Sequence, residues 1–203
     1  MVRKQPEVLA VARQVNANVF FRSGSKQVNG IISGVELSSE DEVYQTASTV
    51  IKGQWNDLST NKTGIIIGKL LAEKLGLNIN NSINVLTSTG VSKNYTVVGI
   101  FESNLKSMDE SKAYLNIMTA RQLVGKNSDF ASDIVINIKN KDNTLALVRK
   151  LVPIIPHQIE SWQEANEQLV AGSELRNIIA VAVSLTILLV AGFGIYNIMT
   201  MTI

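Results

Sequence analysis

SWQEANEQLVAGSELRNIIAVAVSLTILLVAGFGIYNIMTMTI, from Ser161 to Ile203, is the stretch that decides what kind of chain this is. Its last charged side chain is Arg176, and none follows from Asn177 to Ile203. Within that run, Ile178 to Ile195 is interrupted only by Ser184 and Thr186. About 20 apolar residues at 1.5 Å rise cross the roughly 30 Å hydrocarbon core of a bilayer, whereas apolar core helices commonly end after roughly 10–14. Residues 177–203 are therefore expected to be a transmembrane helix. The run lies at the wrong end for a secretory signal. Ser161 and Glu164 form a capping box, in which hydroxyl and carboxylate satisfy backbone N–H groups at a helix start. No Pro follows, and Gly172 is the one weak point before the apolar run. One helix from Trp162 to about Met201, roughly 60 Å long, is expected to carry the rest of the chain on a stiff stalk, residues 161–176. Ala180 and Ser184, and further on Ala191, Gly192 and Gly194, are candidates for close packing against another spanning helix, because small residues let helix backbones approach in lipid.

Upstream the pattern changes to strands and short helices. Pro6 to Ala12 reads as a short apolar helix. Val15, Ala17, Val19 and Phe21 alternate with polar residues, the mark of a half-buried strand. Ser23-Gly24-Ser25 turns the chain back into a second strand, Gln27 to Val35. Ser39 and Glu42 suggest another capping box, opening a helix with Val43, Ala47, Val50 and Ile51 on one face and Gly53 at its end. Ile65 to Ile67 is a strand between two glycines, and Lys69 to Leu75 a helix stopped by Gly76. Asn80-Asn81 turns into a hairpin of Ile83, Val85 and Thr87 against Tyr95, Val97, Gly99 and Phe101. Glu102 to Glu110 reads as a polar loop. Ala113 to Ile117 is a strand, Thr119 to Val124 a helix, Asp133 to Ile138 a strand, Thr144 to Leu151 a helix and Ile154 to Ile159 a strand. The expected class is an α+β domain followed by the stalk and span. A chain ending inside an apolar run and beginning without a signal or first span is expected to be a piece of a larger membrane protein.

Composition removes whole classes of function. The chain has 203 residues, 45% hydrophobic and only 18% charged. Lys and Arg total 19 against 17 Asp and Glu, a net charge of +2, which offers no basic footprint for nucleic acid. Absence of Cys excludes disulfides, thiolate metal sites and a Cys nucleophile. The single His, His157, reads as a loop residue with no G-x-S-x-G elbow to serve. Gly64-x-x-x-Gly68 lacks the Lys-Ser/Thr of a phosphate loop. Asp41-Glu42 and Asp109-Glu110 read as solvated neighbours, the triplets at Asn61, Asn80 and Asn94 as chance, and Trp55 and Trp162 as packing anchors. No catalytic, cofactor-binding or metal-ligating residue is assigned.

Five runs in order, GIIIGKLLAEKLGL, YTVVGIFES, MDESKAYLNIMTARQLV, SDIVINIK and SWQEANEQL leading into ILLVAGFGIYNIMTMTI, resemble the extracytoplasmic domain and second span of the MacB/LolC/FtsX-like permease superfamily of ABC transporters, with the lipoprotein-releasing branch the nearest echo. The resemblance covers roughly Val8 to Ile203. It implies a porter-like half from residues 1–33 and 129–168 with a sabre-like insert, 34–128, and a periplasmic location for residues 1–176 of an inner-membrane protein. It implies a non-catalytic subunit without a cofactor, coupling ATP hydrolysis on a separate cytoplasmic subunit to extraction or export of a hydrophobic substrate such as lipoprotein. The implied partners are that ATP-binding subunit, a second permease subunit, membrane lipid and a periplasmic carrier or adaptor. Ser161, Trp162, Glu164, Leu169 and Gly172 would then transmit motion through the stalk. The lipoprotein-releasing branch can carry a long hook in the hairpin that here has only Ser88 to Asn94, and the Gly-Asp turn often seen in the family is Asn80-Asn81. An FtsX-like regulator of envelope enzymes, or a single-pass anchored binding domain, is the alternative reading.

Overall fold

Sixteen residues of alternating character, VLAVARQVNANVFFRS, make one long strand that three others use. In the computed structural model, which describes residues 7–140, 144–153, 158–165 and 167–201, this strand is β1 (Val8–Ser23). Residues 8–12 are extended rather than helical, because Val8–Gln14 pair antiparallel with β8 (Asp133–Ile138). Gln14–Ser23 pair with β2 (Lys26–Val35) across the Gly24-Ser25 turn. On the edge shared with β8, Val19–Arg22 pair with β5 (Ser82–Thr87). The remaining strands are β3 (Val50–Gly53), β4 (Gly64–Gly68), β6 (Ser92–Phe101) and β7 (Lys112–Asn116). The order β2-β7-β4-β6-β5-β1 returns to β2 through the β1–β2 pair, so six strands close into a ring, with β3 attached to β6 and β8 to β1. The β2–β7 and β4–β6 pairs are parallel.

β4 shows why a continuous apolar run belongs in such a sheet. Ile65, Ile66 and Ile67 are all fully buried. Ile65 and Ile67 join the main core with Val15, Phe21 and Leu115, while Ile66 joins a second cluster of Val35, Trp55, Leu58, Phe101 and Tyr114. Successive side chains point to opposite faces, so both faces of β4 are covered. Helix α3 (Lys69–Leu75) follows directly, and Gly76 ends it at φ 69°. The left-handed conformation suits a residue without Cβ.

Four expectations are corrected here. The helix expected to run on from Val43 to Ile51 is α1 (Leu37–Tyr44), which stops where Gln45 turns left-handed at φ 55°. A 3-10 turn, Thr46–Thr49, and strand β3 follow. Thr46, Thr49, Val50 and Ile51 are β-branched and lose χ1 freedom in a helix, while β6 offers Val50–Gly53 an edge to pair with. Ser39 lies inside α1 rather than capping it, and no side chain caps its start. The alternation in β6 slips: Tyr95, Val97 and Ile100 enter the main core, whereas Val98 and Phe101 face the second cluster. The register of β6 against β4 shifts between Ile65/Val97 and Ile66/Gly99, and an extra residue at such a bulge reverses the phase of every later side chain. Part of the polar loop is helix α4 (Lys106–Ser111). The other helices of this unit are α2 (Asp57–Thr60) and α5 (Ile117–Leu123).

Residues 1–139 form one compact unit and 140–203 a second. The second contains α6 (Thr144–Leu151), α7 (Trp162–Ala165) and α8 (Glu167–Met201). Of the strand expected from Ile154 to Ile159, residues 154–157 lie outside the described residues, and 158–159 belong to no regular element.

Candidate functional site

Helix α7 begins at a reciprocal cap. Ser161 donates from its backbone N to Glu164 Oε2 at 2.7 Å and from its hydroxyl to the same oxygen at 2.9 Å. The Glu164 N–H donates back to Ser161 Oγ at 3.2 Å. These two donors, the backbone N–H first, hold the Glu164 carboxyl below its ordinary value. Trp162 opens α7, and Leu169 and Gly172 lie in α8, an unbroken helix of 35 residues. A Cβ at Gly172 would meet no heavy atom within 4 Å.

Leu175–Met201, 27 residues, is long and apolar enough to cross a membrane, its most apolar stretch reaching a mean hydropathy of 2.7. Its Ser and Thr hydroxyls bond within the helix: Ser184 donates to the Ala180 carbonyl at 2.8 Å and Thr186 to that of Ala182 at 2.9 Å. Such bonds remove the cost of placing a hydroxyl in hydrocarbon. At about 100° per residue, Ala180, Ser184, Ala191 and Gly194 fall within one face roughly 80° wide. Gly192 lies outside it, on the face where Leu188, Leu189, Phe193 and Tyr196 border a shallow apolar groove.

Within the ring unit the most buried charge is one the sequence did not single out. Glu40, on α1, is 1% exposed. Gln14 Nε2 donates to both its oxygens, at 2.8 and 3.0 Å. Gln14 Oε1 accepts from Asn16, which also donates to Asp133 at 2.8 Å and accepts from Ser33 at 2.7 Å. This chain of polar contacts ties α1 to β1, β2 and β8. Burial raises the Glu40 carboxyl, opposed by the Gln14 hydrogen bond and the Lys112 charge. Burial lowers Lys112, whose ammonium lies 4.8 Å from the centroid of the Tyr114 ring. The only sequence signal was the helical row Leu37-Glu40-Val43, in which a carboxylate occupies an apolar-facing position.

A carboxyl raised by folding stabilises most below its unfolded value and loses that contribution as pH rises through the folded one. Glu40→Gln is therefore expected to flatten the rise in unfolding tendency between about pH 4.5 and neutrality, the lower bound being near an ordinary Glu. Thermal melts of both chains across that range check it; parallel curves would show that Glu40 does not titrate differently in the fold.

Among the described residues, no group of three or more His, Cys, Asp or Glu is placed to hold a metal ion. His157 lies outside them. Asp109, one of the adjacent carboxylates, is buried and serves the backbone, accepting from the Ser103 N–H at 2.8 Å and the Ser103 hydroxyl at 2.7 Å. Trp55 is a packing anchor, edge-on to Tyr114 at 5.4 Å.

A mixed-sheet domain followed in the chain by one apolar helix of spanning length is the form of a membrane-anchored domain. The chain belongs to the MacB-like periplasmic core domain family, whose family model matches residues 1–154. It is 25% identical over 209 residues to the lipoprotein-releasing system transmembrane protein LolC of Neisseria meningitidis serogroup B, covering 97% of this chain and 50% of that protein. It is 21% identical over 206 residues to the protein of the same name from Xylella fastidiosa, covering 96% of this chain and 48% of the relative. The chain thus spans about half the length of these curated relatives. Among solved structures, the extracellular domain of the ABC-type transporter YknZ from Gram-positive bacteria matches with a TM-score of 0.53 at 19% identity, over 71% of this chain and 73% of that one. The periplasmic region of MacB from Actinobacillus actinomycetemcomitans matches with a TM-score of 0.50 at 13% identity, over 75% and 68%. These two likenesses establish the fold.

Proposed function

We propose that the chain is the extracytoplasmic domain and second span of a MacB/Lol-type permease subunit, coupling ATP hydrolysis on a separate cytoplasmic subunit to extraction or export of a hydrophobic substrate such as lipoprotein. The observation that carries this reading is α8, which continues without interruption from stalk residues into the apolar segment in a chain of this family. A motion produced on one side of a membrane reaches the other only through an element stiff enough to have discrete arrangements, biased by a ligand that prefers one of them. ATP on the partner supplies that preference. The subunit itself needs no cofactor and performs no covalent chemistry. Residues 1–33 with 129–168 are assigned to a porter-like half, 34–128 to a sabre-like insert, 161–176 to the stalk and 177–203 to the span. Pairing of β1 with β8 supports a half built from two separated segments. The inner membrane is the assigned location, with a second permease subunit and lipid as partners. The β5–β6 link is a tight turn, with Thr87 N donating to the Val91 carbonyl at 2.9 Å, so a carrier or adaptor would be met by another surface.

Topology gives the first test. Ser25 is exposed in the β1–β2 turn, and the chain has no Cys of its own. Ser25→Cys in the full-length protein is expected to react with a membrane-impermeant thiol reagent in intact spheroplasts. Labelling only after lysis would place the domain on the cytoplasmic side and end the proposal.

A further inference from the structure

The outer face of the four adjacent strands β2-β1-β5-β6 carries a regular array of polar side chains. Pairing register lines them up in rows that cross all four strands. One row is Asn29, Phe20, Leu86 and Ser92; the next is Gln27, Arg22, Asn84 and Asn94. Residues opposite one another share a face of the sheet. Their chain neighbours Phe21 and Val85 point the other way, into the main core, where α3 places Leu71 and Leu75 and α5 places Ala120 and Leu123. Helices therefore back the inner side, and the two rows face solvent. Phe20, Asn84 and Leu86 are half-buried, and the other five residues are exposed. Four strands about 4.8 Å apart make a face about 14 Å across.

The charge on this face is one-sided. None of the four strands contains an Asp or a Glu. Among the described residues, Arg22 makes no ion pair or hydrogen bond through its side chain, and neither Gln27 nor Asn29 bonds through its amide. Asn84 Nδ2 donates to Asn94 Oδ1 at 2.7 Å and to Ser92 Oγ at 2.9 Å. That fixes two amides in place and leaves the Asn94 N–H groups without a partner among the described residues. Glu40 and Asp133, at the α1 end of the same face, are engaged by Gln14 and Asn16, six or more residues along β1 from Arg22. The Arg22 guanidinium is thus an uncompensated charge among neutral amides.

These groups select an occupant. A protein interface is built on a core of several buried aromatic or aliphatic anchors, whereas the two rows supply only Phe20 and Leu86. Sugar hydroxyls, like side-chain amides, both donate and accept hydrogen bonds. A glycan therefore replaces water on Gln27, Asn29 and Asn94 in kind and avoids the cost of unpaired polar groups. The C–H face of a sugar ring packs on the Phe20 ring. The guanidinium fork takes a planar carboxylate through two parallel bonds, with no acidic side chain on these strands to repel it.

We propose that this face binds a linear glycan bearing carboxylates, with ring hydroxyls on the amides, a ring face on Phe20 and a carboxylate on Arg22. The site is independent of the transport reading, and its test reads binding alone.

The probe is a hexamer of galacturonic acid, titrated calorimetrically against the full chain in phosphatidylcholine nanodiscs with empty nanodiscs as blank. Its fully methyl-esterified form keeps the rings without the charge, and hexaglutamate keeps the charge without the rings. The expected result is saturable binding of the acid hexamer, at least tenfold tighter than either comparison. Arg22→Gln should weaken the acid hexamer at least tenfold and leave the ester unchanged. Gln27→Glu, directly opposite Arg22 in the register, should do the same by occupying the guanidinium. Both positions are exposed, so neither variant should change the melting curve. Phe20→Leu should weaken the acid and ester hexamers together. Hexaglutamate binding as tightly as the acid hexamer would reveal a general electrostatic surface and overturn the proposal. So would unchanged affinity in Arg22→Gln, the absence of saturable binding, or tighter binding of a glycerol phosphate hexamer, which would assign the face to phosphate polymers.

Discussion

Ser173→Pro in the full-length protein is expected to uncouple ATP hydrolysis from substrate movement while leaving the ring domain and the span folded. Ser173 lies six residues inside α8, so the substitution removes an i→i−4 hydrogen bond and drives the proline ring into the preceding carbonyl. That costs about 3 kcal/mol. At 1.4 kcal/mol per tenfold, the population of unbroken helix falls about 100-fold. The break lies between the ring core and the apolar segment, so each keeps its own stabilising contacts. Hydrolysis and release are measured together on the reconstituted complex; normal release by the Pro variant would show that the helix is not a lever and would favour a simple anchored domain. Leu169→Pro probes the helix further up. It is the third residue of α8, and proline is tolerated in a first turn, so a smaller effect than that of Ser173→Pro is expected there. Gly172→Ala is the control. With open space at its Cβ position, Ala should be neutral or stabilising by up to about 1 kcal/mol.

Phe101→Ala carries the largest expected cost to the ring domain. Phe101 is 1% exposed and packs with Val35, Trp55, Leu58, Ile66 and Tyr114, its ring 5.1 Å from that of Tyr114 in an edge-on arrangement. Removing a buried phenyl ring typically costs about 3–5 kcal/mol, because transfer and cavity losses add. For a chain of about 200 residues each kcal/mol corresponds to about 2–4 °C, so the melting temperature should fall by about 6–20 °C. Phe101→Leu, which keeps most of the volume, should cost about 1–2 kcal/mol. Thermal melting of the full chain followed by near-ultraviolet circular dichroism reads the Trp55–Tyr114–Phe101 cluster directly. A loss below about 2 kcal/mol would mean that the cluster collapses around the cavity rather than holding the ring open.

Where a structure depends on neighbours in the chain, it was legible. The β5–β6 hairpin was read from two alternating runs and Thr89-Gly90 between them. Helix α3 was read from Lys69 to Leu75 because Gly76 supplies a left-handed stop, and the Ser161–Glu164 cap because a hydroxyl and a carboxylate three residues apart can satisfy each other's N–H groups. Where a strand took its partner from far away, the reading failed. Val50–Gly53 looked like the end of a helix until β6 provided an edge, and Pro6–Ala12 looked helical until β8, more than 120 positions later, paired with residues 8–14. In β6 the composition promised regular alternation, but one bulge against β4 moved Phe101 to the other face.

The sequence by itself determined the apolar helix, the absence of thiol chemistry, the local caps and turns, and the ordered runs that carry the family likeness. All of these are set by composition or by groups within a few residues of one another. Tertiary structure alone decided the closure of six strands into a ring, the burial of Glu40 against Gln14, and the edge-on packing of Trp55 against Tyr114. Each of these needs residues brought together from distant parts of the chain. The free energy that sets them comes from pairing and desolvation between those parts, and no local pattern of side chains encodes it.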